Sequence, residues 1–141
     1  MARPRDAAPL FVDTSAWVAL LHRPDQAHKH AAELWPAIRS GRRLLVTTNL
    51  VLAETHAILT RRLGATAGLK FLDRMADHRF RGVVWADAEL TLGATDRWLR
   101  QHADKRFSLT DAVSFEVMDR EGIAEAFAFD RDFERAGFRL L

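Results

Sequence analysis

Two kinds of hydrophobic pattern alternate along this chain of 141 residues. Short, almost continuous apolar runs are typical of buried β-strands. Such runs occupy residues 10–13, 44–47, 82–86 and 123–129. The segments between them carry apolar residues at intervals of three and four, as on one face of an α-helix. This alternation predicts an α/β fold with a mainly parallel sheet, helices on both faces, and a last edge strand at 138–141.

Capping residues predict the boundaries of the helices. The clearest case is the helix over 49–63, which Thr48 opens and Gly64 ends. Threonine accepts a hydrogen bond from the first turn, and glycine adopts the left-handed conformation that closes a helix. The other predicted helices and their boundary residues are 16–21 (Thr14 or Ser15), 25–40 (Asp25, disturbed at Pro36), 65–78, 88–102 (Asp87), 108–121 (Ser108 and Gly122) and a short one capped by Asp132.

Composition narrows the class of protein. Hydrophobic residues make up 48% of the chain and charged residues 28%, which suits one folded domain at 10–141 behind a flexible lead-in at 1–9. No apolar run approaches the roughly 20 residues of a membrane span. The absence of cysteine excludes disulfides and thiolate metal sites. We therefore expect a cytoplasmic protein with no membrane association.

The basic residues give only a weak indication of a polyanionic partner. The net charge is +2, although most basic residues are arginine, which suits bidentate phosphate contacts. Trp17 is the tryptophan best placed to stack on a base, while His28 and His30, two residues apart on a helix, face different directions and are interpreted as surface residues. Four basic pairs could form a rim that follows a phosphate backbone, or simply a solvated surface: Arg42 and Arg43, Arg61 and Arg62, Arg79 and Arg81, Lys105 and Arg106.

The first and fourth predicted strands both end in an aspartate, Asp13 and Asp130. Ligands of open parallel sheets bind beyond the carboxyl ends of the strands, so adjacent strands would bring both carboxylates to one edge. Asp13 could instead be a helix cap, but Thr14 and Ser15 can both cap that helix. Asp132 can likewise cap the last helix, which leaves Asp130 available for another role.

Glu54 is the most informative single residue. Its neighbours one turn away on the predicted helix are all apolar: Leu50, Val51, Ala57 and Ile58. We therefore expect Glu54 to point where the helix packs. A buried carboxylate costs several kcal/mol unless a base, a metal or its own protonation neutralises it. An ion pair with Arg61 is the structural alternative to a functional site.

The remaining acids have capping as their simplest explanation. Asp111 lies in Ser108-Leu-Thr-Asp111, an acidic form of the capping box, and Asp87 is the only capping residue available to its helix. The combination of Asp13, Glu54, Asp111 and Asp130 is more informative than any one of them. Four carboxylates share a pocket only if cations neutralise them or some are protonated. All-oxygen ligands favour Mg²⁺ or Mn²⁺, ions that support phosphoryl chemistry.

Four motifs, in their order and spacing, resemble the PIN-domain family. They are Val12-Asp-Thr-Ser15, Glu54 in an apolar helix, Ser108-Leu-Thr-Asp-Ala112 and Phe129-Asp-Arg-Asp-Phe133. Within that family, the chain resembles the VapC-type toxins of bacterial and archaeal toxin–antitoxin pairs, over nearly everything after Pro9. The resemblance implies a PIN-like α/β/α sandwich with a central, mainly parallel sheet of about four to five strands.

The resemblance also implies a function, namely a Mg²⁺- or Mn²⁺-dependent endoribonuclease acting on structured RNA, often tRNA or rRNA. Asp13 and Asp111 would be the most direct metal ligands, and Glu54 and Asp130 would complete the set of metal ligands in the catalytic site. Five residues would lie beside these ligands in supporting positions: Thr14, Ser15, Ser108, Thr110 and Asp132. VapC-type proteins typically form homodimers and are inhibited by an antitoxin that occupies the active-site groove.

Other functions stay open at the level of sequence. A haloacid-dehalogenase-like phosphatase expects a second aspartate two residues after the first, where this chain has Ser15, and a P-loop enzyme needs a phosphate-binding motif that the chain lacks. A PIN-fold RNA-processing nuclease outside a toxin–antitoxin pair would carry the same acids. So would a binding module that keeps the fold but acts through partners.

Overall fold

The sheet is five-stranded and parallel throughout. A computed structural model of the chain describes residues 8–76 and 82–141. Its strands are β1 (Leu10–Val12), β2 (Leu45–Thr48), β3 (Val83–Val84), β4 (Glu125–Phe127) and β5 (Arg139–Leu140). Their order across the sheet is β3-β2-β1-β4-β5, and every neighbouring pair is parallel. The predicted α/β class, the mainly parallel sheet and the edge strand are confirmed.

Helices fill the connections between the strands. They are α1 (Thr14–Leu21), α2 (His28–Ser40), α3 (Asn49–Leu63), α4 (Ala65–Ala76), α5 (Ala88–Ala94), α6 (Leu109–Glu121) and α7 (Asp132–Arg135), with a π-helical segment (Thr95–Arg100) and a 3₁₀ turn (Ala103–Lys105). The predicted bounds of α3 are confirmed at both ends. Thr48 Oγ1 accepts a hydrogen bond from Val51 N at 3.2 Å, and Gly64 takes a φ of 97°.

The strand order creates a crevice at the carboxyl edge of the sheet. From β1 the chain adds β2 and β3 on one side, then returns to add β4 and β5 on the other side. The connections that leave β1 and β4 therefore run in opposite directions across the sheet. The gap between these two strands is the switch point, where ligands of such sheets bind. The register pairs Val12 with Phe127, so the residues that follow both strands emerge at this point.

Several predicted boundaries were wrong. Helix α2 begins at His28 rather than at Asp25, and it continues through Pro36. Proline has no N–H to donate to the Ala32 carbonyl, but Pro36 and Ala32 are both exposed, so the helix continues on a side that is open to solvent. The single helix predicted over 88–102 is divided into α5, the π-helical segment and the 3₁₀ turn. The end of the helix predicted over 65–78 and most of the predicted lead-in lie outside the described residues.

The core is centred on β1 and α6. All three residues of β1 have no exposed surface, and α6 is buried on every side over residues 112–118, as expected of a helix enclosed by other elements. Phe115 on α6 packs edge-to-face against Phe133 and Phe107, with ring centroids 5.0 Å apart in both pairs. Burying each such ring stabilises the fold by about 1.5–3 kcal/mol. None of the described helices is long and apolar enough to cross a bilayer.

Candidate metal centre and active site

A cavity of about 440 Å³ opens at the switch point of the sheet. Five acidic residues line it: Asp13, Asp25, Glu54, Asp111 and Asp130. Four of them are the acids that the sequence predicts for the catalytic site. The structure therefore brings the four predicted acids together around one cavity, from the residue after β1, from α3, from the start of α6 and from the loop after β4.

Asp13 is the most buried of these acids, with 4% of its surface exposed. It is itself the N-cap of α1, so the expectation that Thr14 or Ser15 caps this helix is wrong. Asp13 Oδ2 accepts hydrogen bonds from Ser15 N at 3.1 Å and from Ser15 Oγ at 2.7 Å. The reason is local: an aspartate directly before a helix can accept from the N–H two residues later.

Ser15 ties the two central strands together at the site. Its Oγ accepts a hydrogen bond from Phe129 N at 2.9 Å while it donates to the Asp13 carboxylate. One hydroxyl thus joins the end of β1 to the loop that carries Asp130. Thr14 has a different environment, because its Oγ1 donates towards the Val51 carbonyl at 3.5 Å and so links α1 to α3.

Asp111 lies in the first turn of α6, whose N-cap is Ser108 as predicted. Ser108 Oγ accepts a hydrogen bond from Asp111 N at 3.0 Å. This cap places the Asp111 side chain at the carboxyl edge of the sheet, where it reaches the cavity. Thr110 accepts at its carbonyl from Ser114 Oγ, and no hydrogen bond from Thr110 to a carboxylate is found in residues 8–76 and 82–141.

The prediction that Asp132 caps the last helix is wrong, because the hydrogen bond at the start of that helix is accepted by Asp130. Asp130 Oδ1 accepts a hydrogen bond from Asp132 N at 2.9 Å, whereas Asp132 is the first residue of α7 and caps nothing. Asp130 lies in the loop between β4 and α7, two residues before the helix begins, so its carboxylate can accept from the free N–H of Asp132. Carboxylate oxygens of Asp111, Asp130 and Asp132 lie within 4.8 Å of one another. Asp132 therefore stands beside the predicted ligands.

Glu54 faces the cavity but is exposed, so its predicted burial was wrong. The face of α3 that packs carries Val51, Thr55 and Leu59. Glu54 is offset by about 100° around the helix from Thr55, which turns it towards the opening. Within the described chain it makes no ion pair with Arg61 or with any other base.

The electrostatics of the cluster favour a bound cation. Burial raises the pKa of Asp13 from 3.8 to about 6, against the lowering effect of the Ser15 hydrogen bonds. Burial, followed by repulsion from Asp13 and Asp130, raises the pKa of Asp111 from 3.8 to about 7. Burial and the charge of Asp130 also raise the pKa of Asp132. A divalent cation would relieve this repulsion, and the all-oxygen donor set fits a hard divalent ion.

Two acidic residues were missed by the sequence reasoning. Asp25 lines the cavity from the loop before α2, although its Oδ1 also accepts from Ala27 N, so only its capping role could be predicted. Glu116 is completely buried on α6, away from the cavity, and pairs with Arg97 at 3.4 Å and Arg120 at 3.7 Å. A glutamate inside the apolar run of residues 112–118 was the signal that could have found it.

Two residues of the predicted phosphate rim have structural partners. Arg43 donates to Glu125 at 2.7 Å and to the Ala8 carbonyl, and Lys105 donates to the Arg135 carbonyl. Arg79 and Arg81 lie outside the described residues. Arg62, by contrast, lines the cavity.

Trp17 and His28 are also used by the fold. Trp17 is buried edge-to-face against Trp35 and Phe71, so it is unavailable for stacking on a base. His28 was interpreted as a surface residue, but its Nδ1 donates to the Ala19 carbonyl at 2.7 Å and joins α2 to α1. His30 is exposed, as predicted.

Carboxylates gathered at the switch point of a parallel sheet define a candidate hydrolase site whose oxygen ligands fit a divalent metal. The chain belongs to the PIN-domain family, whose model matches residues 10–139. Within that family it is similar to the 23S rRNA-specific endonuclease VapC20 of Mycobacterium tuberculosis, from strains CDC 1551 / Oshkosh and ATCC 25618 / H37Rv. Both are 40% identical over 132 residues, which cover 92% of this chain and 95% of VapC20.

The fold of VapC20 matches as well. Its crystal structure, described as that of a Sarcin-Ricin loop cleaving toxin, has a TM-score of 0.82 and 38% sequence identity. The match covers 92% of this chain and 95% of that chain. The predicted resemblance to VapC-type PIN domains is confirmed.

Proposed function

We propose that this protein is a divalent-metal-dependent endoribonuclease and the toxin of a VapBC-type toxin–antitoxin pair. The observation that carries the proposal is the convergence of Asp111, Asp130 and Asp132, whose carboxylate oxygens lie within 4.8 Å, beside the buried Asp13. The similarity to VapC20, a 23S rRNA-specific endonuclease, supports RNA as the substrate and an antitoxin as the partner.

The carboxylates would hold the metal. Asp13, Asp111 and Asp130 would be ligands, with Asp132 beside them, and the all-oxygen set favours Mg²⁺ or Mn²⁺. When bound, such an ion lowers the pKa of a water molecule and stabilises negative charge on the phosphodiester. Ser15 fixes one oxygen of Asp13 and, through Phe129 N, the loop of Asp130. Preorganising the ligands in this way reduces the rearrangement that metal binding would otherwise require.

Glu54 would accept the proton of the attacking water. Its carboxylate lies on the α3 wall of the same cavity, is exposed, and is engaged by no base within the described residues. A carboxylate with these properties can serve as a general base once substrate covers the cavity. We propose ribosomal RNA as the target, and 23S rRNA first, because that is the substrate named for VapC20. Transfer RNA is the alternative.

The decisive experiment is cleavage of purified 23S rRNA, intact ribosomes and total tRNA, with Mg²⁺ or Mn²⁺ and with EDTA. Asp13→Asn and Asp111→Asn should each lower the cleavage rate by at least 100-fold. Asp87→Asn is the matched control, because asparagine preserves the N-cap that Asp87 provides to α5, outside the cavity. Cleavage that survives EDTA, or that both site variants retain, would overturn the proposal. Folded protein that cuts none of these RNAs would favour the non-catalytic binding module.

The partner assignments have their own tests. Co-expression with the product of a small neighbouring open reading frame should suppress toxicity if that product is the antitoxin. A homodimer and a cytoplasmic location stay predictions. Light scattering that finds only monomer across a wide concentration range would contradict the dimer.

A further inference from the structure

Arg62 is the only basic residue among the described residues that line the acidic cavity. It lies on α3 with Glu54 and Ile58, at intervals of four residues along one face of the helix. The α-carbons of Glu54 and Arg62 are therefore about 12 Å apart along the helix axis. Side chains on a helix lean towards its N-terminus, so the Arg62 side chain leans back towards Glu54.

The fold makes no visible use of the Arg62 guanidinium. Arg62 is exposed, and it has no hydrogen bond or ion pair to any residue of 8–76 or 82–141, although five carboxylates line the same cavity. Arg43 and Arg97 differ in this respect, because each pairs with an acid of the fold. Arg62 is thus a cation at an acidic site that is left free for a ligand.

The charge of the cavity defines which ligand suits Arg62. A cavity lined by five acids repels a polyanion, and a fixed cation on its wall lowers that repulsion locally. The planar guanidinium group matches a phosphate with two parallel hydrogen bonds. Because Arg62 is exposed, its guanidinium group can form these two hydrogen bonds when a phosphate binds.

We propose that Arg62 binds a phosphate next to the scissile one and so positions the RNA strand across the carboxylates. The inference rests on the proposed ribonuclease function. It assigns the substrate contact to Arg62 and not to its neighbour Arg61, which is also exposed but does not line the cavity. Arg61 is therefore a matched control on the same turn of α3.

The experiment measures RNA binding apart from catalysis. A fluorescein-labelled hairpin from 23S rRNA is titrated with wild type, Arg62→Gln, Arg62→Lys and Arg61→Gln in EDTA, at several NaCl concentrations, by fluorescence anisotropy. Arg62→Gln should weaken binding roughly tenfold at low salt and reduce the slope of log K against log salt by about 0.7–0.9. Arg62→Lys should restore the slope but only part of the affinity, because lysine cannot form the bidentate contact. Arg61→Gln should match wild type.

The possible failures are distinguishable. Equal losses in Arg61→Gln and Arg62→Gln, or an unchanged salt slope in Arg62→Gln, would overturn the inference. So would a change in Mn²⁺ affinity, measured by calorimetry, without a change in RNA binding. If wild type cuts RNA normally and Arg62→Gln binds RNA as tightly as wild type, this inference alone is overturned. Wild type that neither binds nor cuts RNA would overturn the proposed function and the inference with it. An unchanged melting temperature confirms that Arg62→Gln is folded.

Discussion

Replacing Asp111 with asparagine removes one negative charge from the acid cluster, and we expect the metal-free protein to become more stable at alkaline pH as a result. Burial and the neighbouring acids raise the pKa of Asp111 from 3.8 to about 7, and burial raises that of Asp13 to about 6. The folded protein therefore binds these protons more tightly than the unfolded chain does. Stability falls as pH rises from 3.8, and the loss is complete above about pH 7.

The size of the effect follows from the same pKa values. Since one pKa unit corresponds to about 1.4 kcal/mol, ionising the buried Asp13 costs the fold about 3 kcal/mol. Asp111 adds a cost of the same sign, reduced because its carboxylate is partly exposed. We compare the free energies of unfolding of Asp111→Asn and wild type in EDTA. The difference, variant minus wild type, should accordingly be about 1–2 kcal/mol larger at pH 8 than at pH 5.

Urea unfolding followed by tryptophan fluorescence measures this difference, because Trp17 is buried in the core. Asp87→Asn, which is outside the cavity, should follow wild type at both pH values. Adding Mg²⁺ at pH 8 should make wild type more stable than Asp111→Asn, since the ion binds the folded wild type more tightly than the folded variant. Parallel pH dependence of wild type and Asp111→Asn would refute the electrostatic account of the site.

Two other substitutions test how the structure supports the site and the core. Ser15→Ala should reduce the free energy of unfolding by about 1–3 kcal/mol and the cleavage rate by roughly tenfold, because it removes the hydroxyl that holds the Asp13 carboxylate. The double substitution Arg97→Gln with Arg120→Gln should destabilise the protein by about 2–4 kcal/mol, more than Glu116→Gln does, because it leaves a buried charge uncompensated.

Both tests have clear controls. Ser40→Ala also removes a serine hydroxyl, but one that is exposed and donates to the Pro36 carbonyl, so it should change neither stability nor cleavage by much. If Ser15→Ala behaves like Ser40→Ala, the hydroxyl does not organise the site. If Glu116→Gln proves more harmful than the double arginine variant, the glutamate has a partner other than these two arginines.

The sequence by itself determined most of the elements and their order along the chain. Helix α3 was predicted at both ends because Thr48 and Gly64 act through hydrogen bonds and backbone angles within a few residues of themselves. The positions of Asp13 and Asp130 after two strands were likewise local facts, and parallel pairing of β1 with β4 then brought them together. The helix caps and the positions of the two aspartates depend on interactions between residues close in sequence, whereas the pairing of the two strands joins residues far apart in the chain.

Only the tertiary structure decided which way the side chains face and what they contact. Periodicity placed Glu54 on an apolar stripe of α3, but packing buried the face of Val51 and Thr55 and turned Glu54 to the cavity. The sequence does not distinguish Arg61 from Arg62, yet of these two residues only Arg62 lines the acidic cavity. The physical reason is that a helix fixes the angles between its own side chains, while its rotation against the sheet depends on distant residues.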